Sequence, residues 1–383
     1  MSGPQRLAVL VAFTGDGGVE RMICNLLQGF VDQGIAVDLL LLKARGRHVD
    51  AIPSGVRIVR LDVRTSLFAL PAVMAYLRRE RPAALLAAKD RAGRVALIAR
   101  RLTGVDTRVY LRMGMHLSGS LAGKSALRRW SRFLPVRRLY PLADGIITVA
   151  DAVAVDLARI GGLPAERFHV IRNPSVTGSL AESAEMPSGH PWLDEEQSMP
   201  VLLGAGRLRP QKDFTTLLHA FAALRAQRPC RLIILGEGPD RETLQQLASS
   251  LGVTDDVDLP GFTDNPYAWM ARSRVFVLSS RYEGAPNVLV EALSLGVPVV
   301  ATDCPSGPAE ILDDGRVAPL VPVGDVAAMT AAMRRMLDDP PPPDQLRYAV
   351  REYTVAFSSR RYLEAMGFAV DWTDHNQCDQ APC

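Results

Sequence analysis

The chain is constrained most by an alternation that runs along it twice: a short apolar run, a loop of glycine or small polar residues, then a stretch of helical periodicity. The opening run, Arg6–Phe13, reads as a buried parallel strand. It ends at Thr14-Gly15-Asp16-Gly17-Gly18, and a helical pattern follows from Val19 to Gln33. Further strand-like runs lie at Ala36–Leu42, Arg57–Leu61, Ala84–Ala87, Arg108–Arg112, Gly145–Val149 and His169–Ile171. The pattern lapses into Ser, Gly, Glu and Pro between Ser175 and Met199, then resumes at Pro200–Gly206, Arg231–Gly236, Val257–Leu259, Val275–Ser279, Pro298–Thr302 and Ala318–Val321. Strands that alternate with helices and are apolar throughout belong to parallel sheets covered on both faces.

The expected fold is therefore α/β, with two Rossmann-like doubly wound domains. A length of 383 residues with 48% hydrophobic side chains suffices for two cores. The first domain should span residues 1–175, residues 176–199 form a linker, and the second domain covers 200–343. Four prolines at Pro340–Pro343 precede a last helical stretch in 344–370, which can pack back on the first domain, and 371–383 reads as a disordered tail. Two such domains face each other across a cleft, and ligands gather at the carboxyl ends of their strands.

A formal net charge of +3 gives no bulk attraction to nucleic acid, so anion binding must come from local clusters. No run of about 18 apolar residues spans a membrane, and the start lacks the marks of a signal peptide, so a cytoplasmic protein is expected. Five scattered cysteines, none at zinc-ligand spacing, point to free thiols rather than disulfides or a metal site. Asp256-Val-Asp258 has the letters of an acidic metal-binding pair, but it leads into a strand and is read as structural.

Two loops after strands carry the chemistry. Gly206-Arg207-Leu208-Arg209-Pro210-Gln211-Lys212 places Arg207 and Lys212 where a diphosphate leaving group needs fixed positive charge. Arginine grips phosphate oxygens in pairs, while lysine supplies a compact charge. The second loop, Ser280-Arg-Tyr-Glu-Gly-Ala-Pro-Asn-Val-Leu-Val-Glu, turns at Gly284 and starts a helix, with Pro286 suited to its first position. The first free N–H groups, around Ala285 to Val288, form an anion site at that helix tip, with Pro286 setting the turn and Asn287 following it. Glu283 and Glu291 border it, and ionised carboxylates can only accept hydrogen bonds, as from sugar hydroxyls.

These residues resemble glycosyltransferase family 4, within the GT-B fold. The resemblance runs from about residue 7 to 367 and rests on Glu283…Glu291 in EGAPNVLVEAL, on Gly206-Arg207-Leu208…Lys212, and on Gly17-Gly18-Val-Glu-Arg. It implies that Arg207 and Lys212 bind the donor diphosphate, Glu291 holds the ribose and Glu283 contacts the donor sugar. It also implies that backbone near Phe262 cradles the nucleobase, and that His116 lines the reaction centre. By the same resemblance the enzyme is retaining and needs no metal or cofactor. Its donor is a nucleotide diphosphate-sugar, in the first place a UDP-sugar, and its acceptor a glycan or polyprenyl-linked glycan of cell-surface assembly. The form Cys304-Pro305-Ser306-Gly307-Pro308 is similar to members acting on surface glycans, some of them using N-acetylhexosamine donors.

Gly15–Gly18 is not the dinucleotide fingerprint, because the third glycine would fall at Glu20. Gly17 and Gly18 suit instead a close approach of backbone to donor or acceptor. Residues 124–140 mix cations with Trp130, Phe133 and Leu134, in the manner of a helix docked on anionic lipid or of a solvated helix face. Two other functions share this architecture: a UDP-sugar 2-epimerase, and a catalytically silent subunit that binds sugar nucleotides.

Overall fold

A computed structural model describes residues 5–14, 18–63, 66–121, 123–195, 199–370 and 372. The chain forms two compact units, residues 1–175 with 352–383, and residues 176–351.

In the first unit the strands are β1 (Arg6–Thr14), β2 (Ala36–Arg45), β3 (Val56–Arg60), β4 (Ala84–Ala88), β5 (Arg108–Met113), β6 (Gly145–Thr148) and β7 (Phe168–Val170). Among the described residues they build one parallel sheet in the order β3-β2-β1-β4-β5-β6-β7. The expected runs thus form the strands, displaced by at most three residues at their ends. The order reverses direction between β1 and β4, which in doubly wound sheets is where a crevice opens at the carboxyl edge. Every residue of β4 is buried, as a strand covered on both faces requires.

Helix Gly18–Asp32 turns Met22, Ile23, Leu26, Leu27 and Phe30 inward at helical spacing. Burying each such side chain contributes roughly 1.5–3 kcal/mol, an upper bound because unfolded chains are partly compact. Its outer side takes helix Val355–Ala365, whose Tyr362 and Leu363, with Met366 just past its end, join the same core. The two helices cross at Gly29, where a Cβ would stand 2.5 Å from Ser359 Oγ. On the opposite face of the sheet, the fully buried Asp38 of β2 accepts hydrogen bonds from Arg6 at 2.6 Å, Arg57 Nε at 2.8 Å and Tyr76 at 2.6 Å. Three neighbouring elements are tied through one carboxylate.

In the second unit the strands are β8 (Val201–Ala205), β9 (Arg231–Leu235), β10 (Val257–Gly261), β11 (Val275–Leu278), β12 (Val299–Thr302) and β13 (Leu320–Val321). Their order, β10-β9-β8-β11-β12-β13, repeats the doubly wound plan. Residues 176–199, read from composition as a connection, carry helices Ser179–Glu185 and Pro191–Asp194. Leu180, Ala184 and Leu193 are buried there, and Arg272 donates to the carbonyls of Ala184 and Glu185, so this segment packs on the second unit. Helix Pro343–Ala349 lies against helix Asn287–Ser294, with Pro343 filling the space that a side chain at Gly296 would need.

Candidate functional site

At the carboxyl edge of the second sheet, the loops after β8 and β11 are fastened together at several points. Ser279 Oγ donates to the Lys212 carbonyl at 2.7 Å, and Arg281 N–H to the Gln211 carbonyl at 2.8 Å. Gln211 Nε2 returns a bond to the Tyr282 carbonyl, and the Arg281 guanidinium reaches the buried carboxylate of Asp213 at 3.1 Å. Asp213 itself holds φ 49°, a left-handed conformation at the start of helix Phe214–Arg225, and fixes it by accepting from Thr216 at 2.9 Å. Together these contacts aim Lys212 Nζ at Glu283 Oε1, 2.6 Å away.

Glu283 is nine-tenths buried, and its Oε1 accepts from both Lys212 and Ser280, the latter at 2.7 Å. Its Oε2 accepts no bond from the described residues. Ser306 Oγ pins the Glu283 and Gly284 carbonyls, so the loop after β12 supports this turn from below. Burial, and then the negative charge of Glu283, push the nearby Cys304 thiol up to about 12.

Close backbone packing makes room for this arrangement. A Cβ on Gly206 would come within 2.8 Å of Lys212 Cε. One on Gly236 would stand 1.9 Å from the Gly206 carbonyl oxygen, so the loops after β8 and β9 touch backbone to backbone. Arg207 projects from this platform, exposed, with no ion pair to a described carboxylate. The two cations therefore differ: Lys212 is held by an acid, and Arg207 is open.

Helix Asn287–Ser294 starts beside them. Pro286 sits at the N-cap, one position before the first helical turn where it was expected, and its carbonyl accepts from Leu289. The amides that open a helix have no carbonyl of a preceding turn to bond, and Asn287 and Val288 hold those places behind Ala285 and Pro286. Gly307 presses onto this turn at φ 96°, where a Cβ would meet Pro286 Cδ at 2.6 Å. Glu291, one turn along, is 1% exposed. Phe262, just past β10, is 57% exposed. Neighbouring Glu237 pairs with Arg241 at 2.7 Å and shapes the turn after β9.

His116 and Gly18 belong to the first unit, and Gly17 lies outside the described residues. His116 caps helix Leu117–Ser120, its Nδ1 accepting the Gly119 N–H at 3.0 Å with Asp156 at 3.7 Å. An accepting Nδ1 assigns the proton of the neutral ring to Nε2, which is left as a donor. Gly18 opens helix Gly18–Asp32. Beside it stands a pair that sequence reasoning missed: Lys89 Nζ donates to the buried Glu20 at 2.7 Å and to the Ala12 carbonyl. Lys89 has φ 84° and ψ 145°, a strained geometry for a side-chain-bearing residue. The available signal was a lysine directly after the apolar run of β4.

Asp256 takes Arg225 at 2.7 Å and Asp258 takes His190 at 3.0 Å, so both acids serve local packing. Among the described residues no group of three or more His, Cys, Asp or Glu is placed to hold a metal ion. Helix Ala126–Leu139 divides along its length. Val136 is buried and Arg137 bonds the Ile160 carbonyl, whereas Leu127 is 75% and Trp130 57% exposed among Lys124, Arg128 and Arg129. No helix is long and apolar enough to cross a membrane, among the described residues.

Comparison with known proteins agrees with this geometry. Residues 199–339 match the family model described as glycosyl transferases group 1, and residues 17–174 match the glycosyl transferase 4-like domain. The chain is 31% identical over 221 residues to the N-acetylgalactosamine-N,N'-diacetylbacillosaminyl-diphospho-undecaprenol 4-alpha-N-acetylgalactosaminyltransferase of Campylobacter jejuni, covering 58% of this chain and 57% of that enzyme. It is 26% identical to the lipopolysaccharide core biosynthesis glycosyltransferase LpsE of Rhizobium meliloti, covering 85% and 87%. In fold it resembles Anabaena HepE, solved in complex with UDP, at a TM-score of 0.76 and 20% identity over 94% of this chain and 99% of that one.

Proposed function

We propose that this chain, a glycosyltransferase whose two Rossmann-like domains place it in the GT-B class, moves a sugar from a UDP-sugar to a glycan or polyprenyl-linked glycan in cell-surface polysaccharide or glycolipid assembly. The observation that carries the proposal is Lys212, held by Glu283 at the turn that leads into helix Asn287–Ser294, with Arg207 exposed on the same loop as Lys212 and in no ion pair among the described residues. As the anomeric carbon parts from the diphosphate, negative charge grows on the departing oxygen. Fixed cations and helix amides stabilise that charge more than they stabilise the intact donor. Lys212 gives one of its three N–H donors to Glu283 and keeps two for phosphate. Glu283 Oε2 accepts a donor-sugar hydroxyl, Glu291 holds the ribose, backbone at Phe262 faces the nucleobase, and His116 Nε2–H meets the sugar.

Transfer proceeds with retention and without a metal. The acceptor oxygen bonds to the anomeric carbon on the face from which the diphosphate leaves, and the acceptor's proton passes to the departing phosphate oxygen. Positive charge from Arg207, Lys212 and the helix supplies what a divalent ion supplies elsewhere. The Cys304–Pro308 loop and the Campylobacter relative favour an N-acetylhexosamine donor. The enzyme works at the cytoplasmic face, where Leu127 and Trp130, flanked by cations, dock on anionic lipid.

The test is UDP release from a panel of UDP-sugars with and without a polyprenyl diphosphate-linked glycan, in EDTA, with the product's anomeric configuration read by NMR. Acceptor-dependent release with the donor's configuration kept is the expected outcome. Acceptor-independent formation of an epimer would replace the reading with an epimerase. Activity lost in EDTA and restored by manganese would remove its metal-free part.

A further inference from the structure

At the carboxyl edge of the first sheet lies a buried guanidinium that no acid among the described residues pairs with. Arg112, 4% exposed, holds the last position but one of β5 and stands in register with Ala88 at the end of β4. Its Nη2 donates to Asn173 Oδ1 at 2.7 Å, while Nε is enclosed without a hydrogen-bond partner. No ion pair joins it to any carboxylate among the described residues. Its surroundings are neutral: the Asn173 amide, the buried Tyr362 phenol, and Gly114, where a Cβ would stand 2.9 Å from Nη1. Burial raises the Tyr362 phenol, and the charge of Arg112 together with a hydrogen bond from it works against that rise.

Arginine stays protonated in proteins, and a buried charge without a counter-charge is costly. Buried polar groups and charges are as a rule partnered, so a donor enclosed without a partner marks a place where a bound group can supply one. The location fits a ligand. Gly114 lies two residues before His116, and the Arg112 carbonyl accepts the N–H of the strained Lys89 at 3.3 Å. A planar fork with open donors matches the paired oxygens of a phosphate.

We propose that Arg112 is the centre of an oxyanion site on the first unit, which takes a phosphate or pyrophosphate group of a bound substrate. Only the source of that anion rests on the transferase reading: the diphosphate belongs either to the donor or to a polyprenyl-linked acceptor.

The test uses the full chain and inorganic pyrophosphate, read by thermal shift. Arg207→Met with Lys212→Met removes the second unit's cations, and Arg112→Met is then added, replacing a charged side chain with an apolar one of similar length. Pyrophosphate should raise Tm in the double variant and leave the triple variant unmoved. An equal rise in both, or none in the double variant, overturns the proposal. Should Arg112→Met fail to fold, Arg112→Lys keeps the charge but loses the fork. A pyrophosphate affinity at least tenfold weaker is then expected, and an unchanged one overturns the site. Kinetics of the Arg112→Lys variant separate the sources. A KM raised for a diphosphate-linked acceptor but not for the free glycan assigns the anion to the acceptor, and a KM raised for the UDP-sugar assigns it to the donor. No change in either overturns the site. The pyrophosphate measurement needs no turnover, so a failure of the transferase reading leaves it interpretable.

Discussion

Lys212 Nζ and Glu283 Oε1, carried on loops that follow different strands, meet at 2.6 Å while Glu283 Oε2 stays open. In the proposed reaction that acid positions the cation meant for phosphate and offers its second oxygen to a sugar hydroxyl.

Removing the lysine should cost stability as well as activity. Lys212→Met leaves the Glu283 carboxylate nine-tenths buried, with Ser280 as its remaining donor among the described residues. Breaking a buried pair from one side costs about 3 kcal/mol. Urea unfolding should show that loss. Glu283→Gln keeps an acceptor oxygen for both donors, so it should lose about 1 kcal/mol and still fail in transfer. A Lys212→Met variant as stable as the wild type would contradict this account.

Arg207 should behave in the opposite way. It is exposed and unpaired among the described residues, so Arg207→Ala should change unfolding free energy by less than about 0.5 kcal/mol. A charged hydrogen bond contributes about 1.5–3 kcal/mol, which corresponds to a donor KM raised by about ten- to hundredfold. Donor titration by calorimetry checks both the size and a shallower salt dependence.

Acid stability should depend on Asp38. Burial raises its pKa, but hydrogen bonds from Arg57, Tyr76 and Arg6, with the charge of Arg57, outweigh that and hold it below the ordinary range. A depressed folded pKa contributes stability that is present above the unfolded value of about 4 and is lost as pH falls through the folded one. Wild-type stability should therefore decline below about pH 4. Asp38→Asn should be weaker at pH 7 and show a flatter decline, measured by chemical unfolding across pH 2–7.

The thiols of Cys24, Cys230 and Cys304 should be silent in the native protein. Burial pushes them up to about 11, 11 and 12, with Glu20 adding to the first and Glu283 to the last. Iodoacetamide at pH 8 followed by peptide mapping should leave these three unmodified until denaturant is added. Rapid native labelling of Cys304 would mean that the Glu283 turn opens.

Membrane docking should reside in the exposed half of helix Ala126–Leu139. Leu127→Ser with Trp130→Ser should abolish flotation with vesicles rich in phosphatidylglycerol while sparing transfer to a soluble acceptor. Retained flotation would place any membrane contact elsewhere.

The strands were legible because burial on both faces of a parallel sheet demands continuous apolar runs, and that demand is written locally. The Glu283 to Glu291 element was legible for a related reason: a turn glycine, a proline and a helical run are each local choices. The packing of residues 176–199 was not legible, since their polar composition hides Leu180 and Leu193. The Lys89–Glu20 pair was missed because its members are 69 residues apart and meet only when β1 and β4 lie side by side.

Residue order alone determined two parallel-sheet domains, the loops that carry Arg207, Lys212 and Glu283, and the helix tip next to them. Those features depend on backbone geometry and short-range spacing. Tertiary structure decided that Lys212 is held by Glu283 while Arg207 has no ion pair among the described residues, that Asp38 ties β1 to β3, and that Arg112 is buried with no described acid paired to it. Charge state, exposure and partner are properties of side chains brought together from distant strands, and no local pattern encodes which of two similar cations will find a carboxylate.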